Sequence, residues 1–171
     1  PVAYAIKLRC TLLRDVGAAA SPFNSFQTIQ GMETLPLRME RHCENAIKVA
    51  DFLEAHPKVT KVIHPSKQDG EARRRADKYL KGGLGSLMGF ELAGGKDAGE
   101  KFINSLELLY HVANIGDTRS LAIHPATTTH SQLSEEDRLS SGVTDGYVRL
   151  SIGIEHIDDI LADLTQALDK A

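Results

Sequence analysis

Apolar residues recur along this chain at two spacings, and the change from one to the other marks out its organisation. Met39, Cys43, Ala46, Ile47, Ala50 and Leu53 follow at helical steps, which lays one apolar stripe along a long helix. Thr34 to Pro36 opens that helix and His56-Pro57 ends it. Upstream, Ile6, Leu8, Leu12, Leu13 and Val16 keep near-helical spacing until Gly17-Ala18-Ala19-Ala20-Ser21-Pro22 breaks it. Ser21-Pro22 is itself a helix start, with serine at the N-cap and proline at the first helical position.

Beyond residue 57 short strands alternate with helices. Val59 to Ile63, Ser86 to Leu92, His111 to Ile115 and Tyr147 to Ile154 are predicted strands. Glu71 to Lys81 is a predicted helix with Arg73, Arg74 and Arg75 on a solvated face. Asp97 followed by Glu100 forms a capping-box start for a helix from Ala98 to Leu109. In the last helix Ile157, Ile160, Leu161, Leu164, Ala167 and Leu168 share a face, and Asp158, Asp159 and Asp163 suit its positive N-terminal half. This order predicts a two-layer α+β fold, one sheet with helices on one side. Residues 1–56 form an appendage leading into a domain of residues 57–171.

Composition narrows the functional classes. A chain of 171 residues that is 42% hydrophobic can build its own core without metals or disulfides. Twenty basic and 23 acidic side chains leave a net charge of -3, which disfavours a nucleic-acid binder. No apolar run approaches the roughly 18 residues of a membrane span. Cys10 and Cys43 fit no metal spacing and no signal peptide opens the chain, so a reducing, cytoplasmic setting is expected. The opening Pro1-Val2-Ala3-Tyr4 lacks methionine, which predicts a piece of something longer.

Candidate chemistry centres on Arg149. Strand alternation puts Val148, Leu150, Ile152 and Ile154 on one face, with Arg149, Ser151 and Gly153 on the other. An arginine with small neighbours has room for a planar anion and can hold a carboxylate through two parallel hydrogen bonds. A solvated arginine or a structural ion pair fits the same pattern. Asn114 to His130 is dense in hydroxyls and amides suited to a small polar ligand, or to satisfying its own backbone. His124 and His130 lack the spacing of a helical zinc pair, and Pro125 forbids a continuous helix, so hydrogen-bonding roles are expected. Gly83-Leu84-Gly85 precedes a strand and meets Met88 where a dinucleotide fingerprint needs glycine, so it is a turn.

Four blocks taken together resemble the C-terminal part of the Cys/Met-metabolism family of pyridoxal-phosphate enzymes. They are Leu13 to Asn24, Gln30 to His42, Ala113 to His130, and Val148 to Glu155. The resemblance implies the small C-terminal domain of a fold type I transferase, one mostly antiparallel sheet with helices on one side, preceded by a long linking helix. It also implies the sulfhydrylase branch, in which the acetate of O-acetylhomoserine is replaced by sulfide to give homocysteine, with pyridoxal phosphate as electron sink. In this family the arginine that maps onto Arg149 grips the substrate α-carboxylate. Asn114 and Thr129 map onto helpers in placing it. Ile152 stands where the family has valine, and Asn114 where its lyases have serine, which favours the sulfhydrylase branch. Cystathionine γ-synthase and the γ-lyases use the same scaffold, and a free-standing binding or assembly module is the reading of another class.

The same resemblance implies what this chain does without. The family's Schiff-base lysine sits in a Ser-x-Thr-Lys setting that no lysine here has, and its phosphate-binding residues and stacking tyrosine lie upstream. Pyridoxal phosphate is therefore expected in the full-length enzyme and not on this chain, which is expected to be inactive alone. An amino-acid substrate, no nucleic acid, no membrane and a homo-oligomer, tetrameric in the full-length family, complete the expectations.

Overall fold

The computed structural model describes residues 2–17 and 19–171. Pro1, the opening residue, and Ala18, one of the alanines of the predicted break, lie outside the described residues. Two compact units divide the chain, one ending at Pro36 and the other running from Leu37 to Ala171.

In the first unit, α1 (Val2–Lys7) runs into a π-helical stretch, Leu8–Val16. The Gly17 amide closes that stretch on the Leu12 carbonyl at 3.0 Å, and Gly17 adopts a φ of 78°. Glycine enters that region at little cost, which is why the helix stops there. Helix α2 (Pro22–Glu33) begins with proline in its first turn, as predicted, but Ser21 in the cap position makes no side-chain capping bond. None of the described residues of this unit is buried. Tyr4, Val16 and Phe23 are 75%, 80% and 64% exposed, so helical spacing is present here without a core to receive it.

Helix α3 (Leu35–Ala55) carries the predicted stripe, rotated slightly. Cys43, Ala46, Ala50 and Leu53 are buried, while Met39 and Ile47 face outward and His42, Asn45 and Val49 take their place. Because Ala46, Val49, Ala50 and Leu53 have no exposed surface, this helix belongs to the core of the second unit. The division between the two compact units falls between Pro36 and Leu37.

The sheet is built from β1 (Val59–Ile63), β2 (Leu87–Leu92), β3 (Tyr110–His111), β4 (Leu121–Ile123) and β5 (Tyr147–Ser151), in the order β1-β2-β5-β4-β3. All pairings are antiparallel except β3 with β4. Between these strands lie α4 (Gly70–Tyr79), α5 (Gly95–Ser105) and α6 (Glu135–Ser140), and α7 (Ile157–Lys170) closes the chain. Met88, Phe90, Val148 and Leu150 point from the central strands into one cluster with α3, α5 and α7. There Phe90 meets Phe102 edge to face at 5.4 Å. The chain is thus an α+β fold, as its strand and helix order predicts, and its sheet is mostly antiparallel, as the family resemblance implies. No helix among the described residues is long and apolar enough to cross a membrane.

Three local expectations are corrected. The predicted strand His111 to Ile115 is only the two-residue Tyr110–His111, and Val112 and Ile115 are exposed. Leu121–Ile123, placed within the polar loop, is instead a fully buried strand, too short to show alternation. Helix α5 starts at Gly95 behind Gly94 and has no side-chain cap, so Asp97 and Glu100 form no capping box. A side-chain N-cap is found instead at α6, where Ser134 Oγ accepts from the Asp137 amide at 3.2 Å.

Asp163 also departs from its expected role. It is buried, and its carboxylate accepts the amides of Glu107, Leu108 and Leu109 at 2.9, 2.9 and 3.0 Å. Burial pushes its pKa up, but the backbone amides and Gln166 together outweigh that and hold the carboxyl below its ordinary value. At the other end of α7, Lys58 Nζ donates to the carbonyls of Leu168, Asp169 and Ala171. Asp163→Ala should cost about 3 kcal/mol, since three amides lose a charged acceptor. Hydrogen exchange should show it as faster exchange at residues 107–109. Because the folded pKa is lowered, the stabilisation is present above the unfolded carboxylate range, about pH 4, and fades as pH falls through the folded value. The exchange difference between Asp163 and Asp163→Asn proteins should narrow on the same acid limb.

Candidate functional site

The sheet has one covered face and one open face, and β5 connects them. Its even-numbered residues Val148 and Leu150 enter the core, which turns Tyr147, Arg149 and Ser151 to the open side. Register sets Arg149 between Gly89 of β2 and Ile123 of β4. A half-buried guanidinium thus rises from the middle of the sheet beside a residue with no side chain. Its Nη2 donates to the main-chain carbonyl of Asn114 at 3.4 Å, a long bond that leaves the rest of the fork available.

The backbone beyond Arg149 is fixed from two sides. His42 Nδ1 donates to the Ile152 carbonyl at 2.6 Å, so that nitrogen carries the proton. Asn45 Nδ2 donates to the carbonyls of Gly153 and Glu155 at 3.1 and 3.0 Å. From the loop side, Ser120 Oγ accepts the Gly153 amide at 2.8 Å, and Glu155 accepts both the Ser120 amide and its hydroxyl. Ser151 Oγ accepts the Gly116 amide at 3.0 Å, which ties the Asn114 loop to the arginine's strand. A Cβ at Gly153 would strike Glu155, the Thr118 carbonyl and the Ser120 amide, so glycine is required there for space. His42, Asn45, Ser120 and Glu155 were not predicted as site residues. Two of them, His42 and Asn45, each stand one position before a residue of the α3 stripe, Cys43 and Ala46, and a histidine and an asparagine bordering such a face are the signal that was available.

The turn after β4 is held by a second network. His124 is buried, with Nε2 donating to the Asp145 carbonyl at 2.8 Å and Nδ1 accepting from Thr127 Oγ1 at 2.9 Å. Gly99 of α5 makes the space that its ring fills. The buried Arg138 donates to Asp145 Oδ1 at 2.6 Å and to the Val143 carbonyl at 3.0 Å. These bonds agree with the hydrogen-bonding role expected of His124. Thr129 lies outside them, exposed, with its hydroxyl on His130 Nδ1 at 2.9 Å. The structure therefore joins Arg149 to Asn114 and leaves Thr129 on the neighbouring turn, with no bond to either among the described residues.

Charge on the open face is mixed. Glu91 lies opposite Tyr147 and accepts from Thr144 Oγ1 at 2.5 Å. Burial pushes the Tyr147 phenol up, Arg149 works against that and Glu91 adds to it, so the phenol stays protonated at neutral pH. One cation with a free fork, set among neutral donors, can hold and orient a carboxylate.

The chain as a whole is similar to known proteins along nearly all of its length. The family model described as Cys/Met metabolism PLP-dependent enzyme matches residues 3–169. An O-acetyl-L-homoserine sulfhydrylase of Leptospira meyeri is 54% identical over 98% of this chain and 38% of its own length. A homocysteine synthase of Schizosaccharomyces pombe is 49% identical over 99% of this chain and 40% of its own. A Campylobacter jejuni crystal structure, named for an O-acetylhomoserine (thiol)-lyase and holding a pyridoxyl-lysine phosphate, superposes with a TM-score of 0.87 at 41% identity. It covers 98% of this chain and 40% of that one. The chain thus spans about 40% of the length of the relatives it matches.

Gly153→Ala should destabilise the protein by about 2 kcal/mol, because its neighbours are backbone and a bonded carboxylate that cannot yield. Denaturant unfolding of the full-length protein would measure it, and a cost below about 0.5 kcal/mol would show that the segment is not tightly held.

Proposed function

The chain belongs to the Cys/Met metabolism family of PLP-dependent enzymes, and from that premise we propose that it is the C-terminal part of an O-acetylhomoserine sulfhydrylase. Its share of the work is to hold the amino-acid substrate by its α-carboxylate while sulfide replaces acetate. The observation that carries this reading is the guanidinium of Arg149, half-buried on the open face and steadied by the Asn114 carbonyl at 3.4 Å. Its free fork accepts a carboxylate through two parallel hydrogen bonds, which fixes both the position and the plane of the substrate's backbone end. The Asn114 amide and the Thr129 hydroxyl are assigned as neutral helpers, Thr129 on the strength of the family resemblance alone, since its hydroxyl is bonded to His130. The bonded segment from Ile152 to Glu155 keeps the arginine's strand from shifting, so the grip is formed before substrate arrives.

In the full-length enzyme pyridoxal phosphate supplies the electron sink. The residues gathered around Arg149 do not fit that group. The wall offers one guanidinium and neutral donors, and no lysine hydrogen bond or ion pair among the described residues reaches it: Lys58 caps α7, Lys48 pairs with Glu44, and Lys67 pairs with Asp51 and Glu54. The cofactor and the proton-transferring groups therefore come from outside this chain, and the chain alone is inactive. The exposed apolar side chains of residues 2–36 agree with a segment that other parts of a homo-oligomeric enzyme cover. A γ-lyase would use the same wall, and the asparagine at 114 favours the sulfhydrylase.

Two outcomes follow. In the full-length enzyme, Arg149→Lys should raise the KM for O-acetylhomoserine at least about tenfold, because one ammonium cannot reproduce the planar fork. An unchanged KM would leave Arg149 as a structural cation. Mixed with pyridoxal phosphate and gel-filtered, the isolated chain should retain no visible cofactor absorbance that borohydride removes, and a retained band would contradict the placement of the cofactor site.

A further inference from the structure

Tyr147 stands two residues before Arg149 on the same face of β5, and its ring crosses to the neighbouring strand. A Cβ built on Gly89 would meet the ring's Cε2 and Cζ and its hydroxyl, so the ring sits over Gly89. Gly89 is the residue of β2 directly opposite Arg149. The ring therefore fills the place beside the guanidinium that a side chain at 89 would otherwise hold. On the other flank, Arg149 has Ile123 opposite it on β4 and bonds the Asn114 carbonyl.

The ring also stands between the guanidinium and two other places it could turn to. Gly89 and Tyr147 help to line a cavity of about 280 Å³ whose walls include Ile63, His64, Leu87 and Met88. His64 has its pKa lowered, chiefly by burial, so it is uncharged at neutral pH and does not repel a cation. Glu91, opposite Tyr147, offers a carboxylate on the same side. An arginine has the reach to turn either way, and two choices of partner divide its population.

We propose that Tyr147 is a positioning residue for Arg149. Its ring, seated on Gly89, bars the guanidinium from Glu91 and from the cavity beside β2, and keeps it turned toward Asn114, where it meets the substrate carboxylate. The inference rests on Arg149 being the carboxylate anchor. The ring does this by occupying space, since its hydroxyl makes no hydrogen bond among the described residues. Gly89 is the other half of the device, because any side chain there would push the ring away.

Steady-state kinetics of the full-length enzyme test this. Tyr147→Phe keeps the ring and should hold the KM for O-acetylhomoserine within about twofold. Tyr147→Leu should raise it about tenfold, with kcat within about threefold, because only a fraction of the protein then presents the guanidinium correctly. Gly89→Ala, which displaces the ring from the opposite strand, should raise KM in the same way. Combined with Arg149→Lys, Tyr147→Leu should add nothing, since it acts through the residue already lost. The proposal is overturned if Tyr147→Leu and Gly89→Ala leave KM unchanged, if Tyr147→Phe is as poor as Tyr147→Leu, or if the penalties multiply in the double variant. An unchanged KM in Arg149→Lys would remove the anchor itself, whereas a raised KM there with none in Tyr147→Leu would remove only the positioning role.

Discussion

Strand β5 leaves the sheet after Ser151, and the next four residues must satisfy their backbone without a strand partner. Side chains and loop carbonyls take over that task. The Ile152 amide donates to Ser86 and its carbonyl accepts from His42, the Gly153 amide donates to Ser120 Oγ and its carbonyl accepts from Asn45, and the Ile154 amide donates to Thr118. A buried backbone group left unpaired costs as much as a lost hydrogen bond, so these residues are constrained together. Arg149 lies three residues before this clasp, and its reach and direction depend on it.

The clasp also links elements that are distant in sequence. His42 and Asn45 come from α3, Ser86 from the turn before β2, and Thr118 and Ser120 from the loop before β4. That loop is the one whose Asn114 carbonyl meets the guanidinium, and Ser151 ties it to β5 through the Gly116 amide. One strand therefore carries two kinds of order. Its core-facing residues are fixed by packing against Phe90 and the helices, and its outward residues by hydrogen bonds to the loop. Preorganisation of this kind is what a binding wall needs, because a side chain that must first be ordered gives up part of its affinity.

Where periodicity was long enough, the fold was legible in the sequence. Helices α3 and α7 declare themselves by stripes of four to six apolar residues, and β5 by strict alternation around Arg149. Short apolar runs carried no such signal, and Leu121–Ile123 is hidden among polar neighbours although it is the buried partner of β5. Polar residues with structural duties were hidden for another reason. Asp163 looks like a helix-dipole residue until its three amide partners, more than fifty positions away, are brought to it. In the candidate site, alternation alone showed Arg149 with room for an anion. Of the clasp residues, His42 and Asn45 showed only as polar neighbours of the α3 stripe, and Ser120 and Glu155 gave no signal, because each acts on backbone that only the tertiary fold delivers.

The central claim, that Arg149 is the group that reads the substrate's carboxylate, is tested most directly by changing both partners at once. Full-length wild-type enzyme and its Arg149→Met variant would be compared on O-acetylhomoserine and on the corresponding carboxamide, using kcat/KM. The wild type should prefer the carboxylate by at least about tenfold, since loss of a charge-assisted hydrogen-bonded pair is worth about 2 kcal/mol or more. In Arg149→Met that preference should collapse to about twofold or less. A preference of equal size in both enzymes would contradict the claim and place carboxylate recognition on another residue.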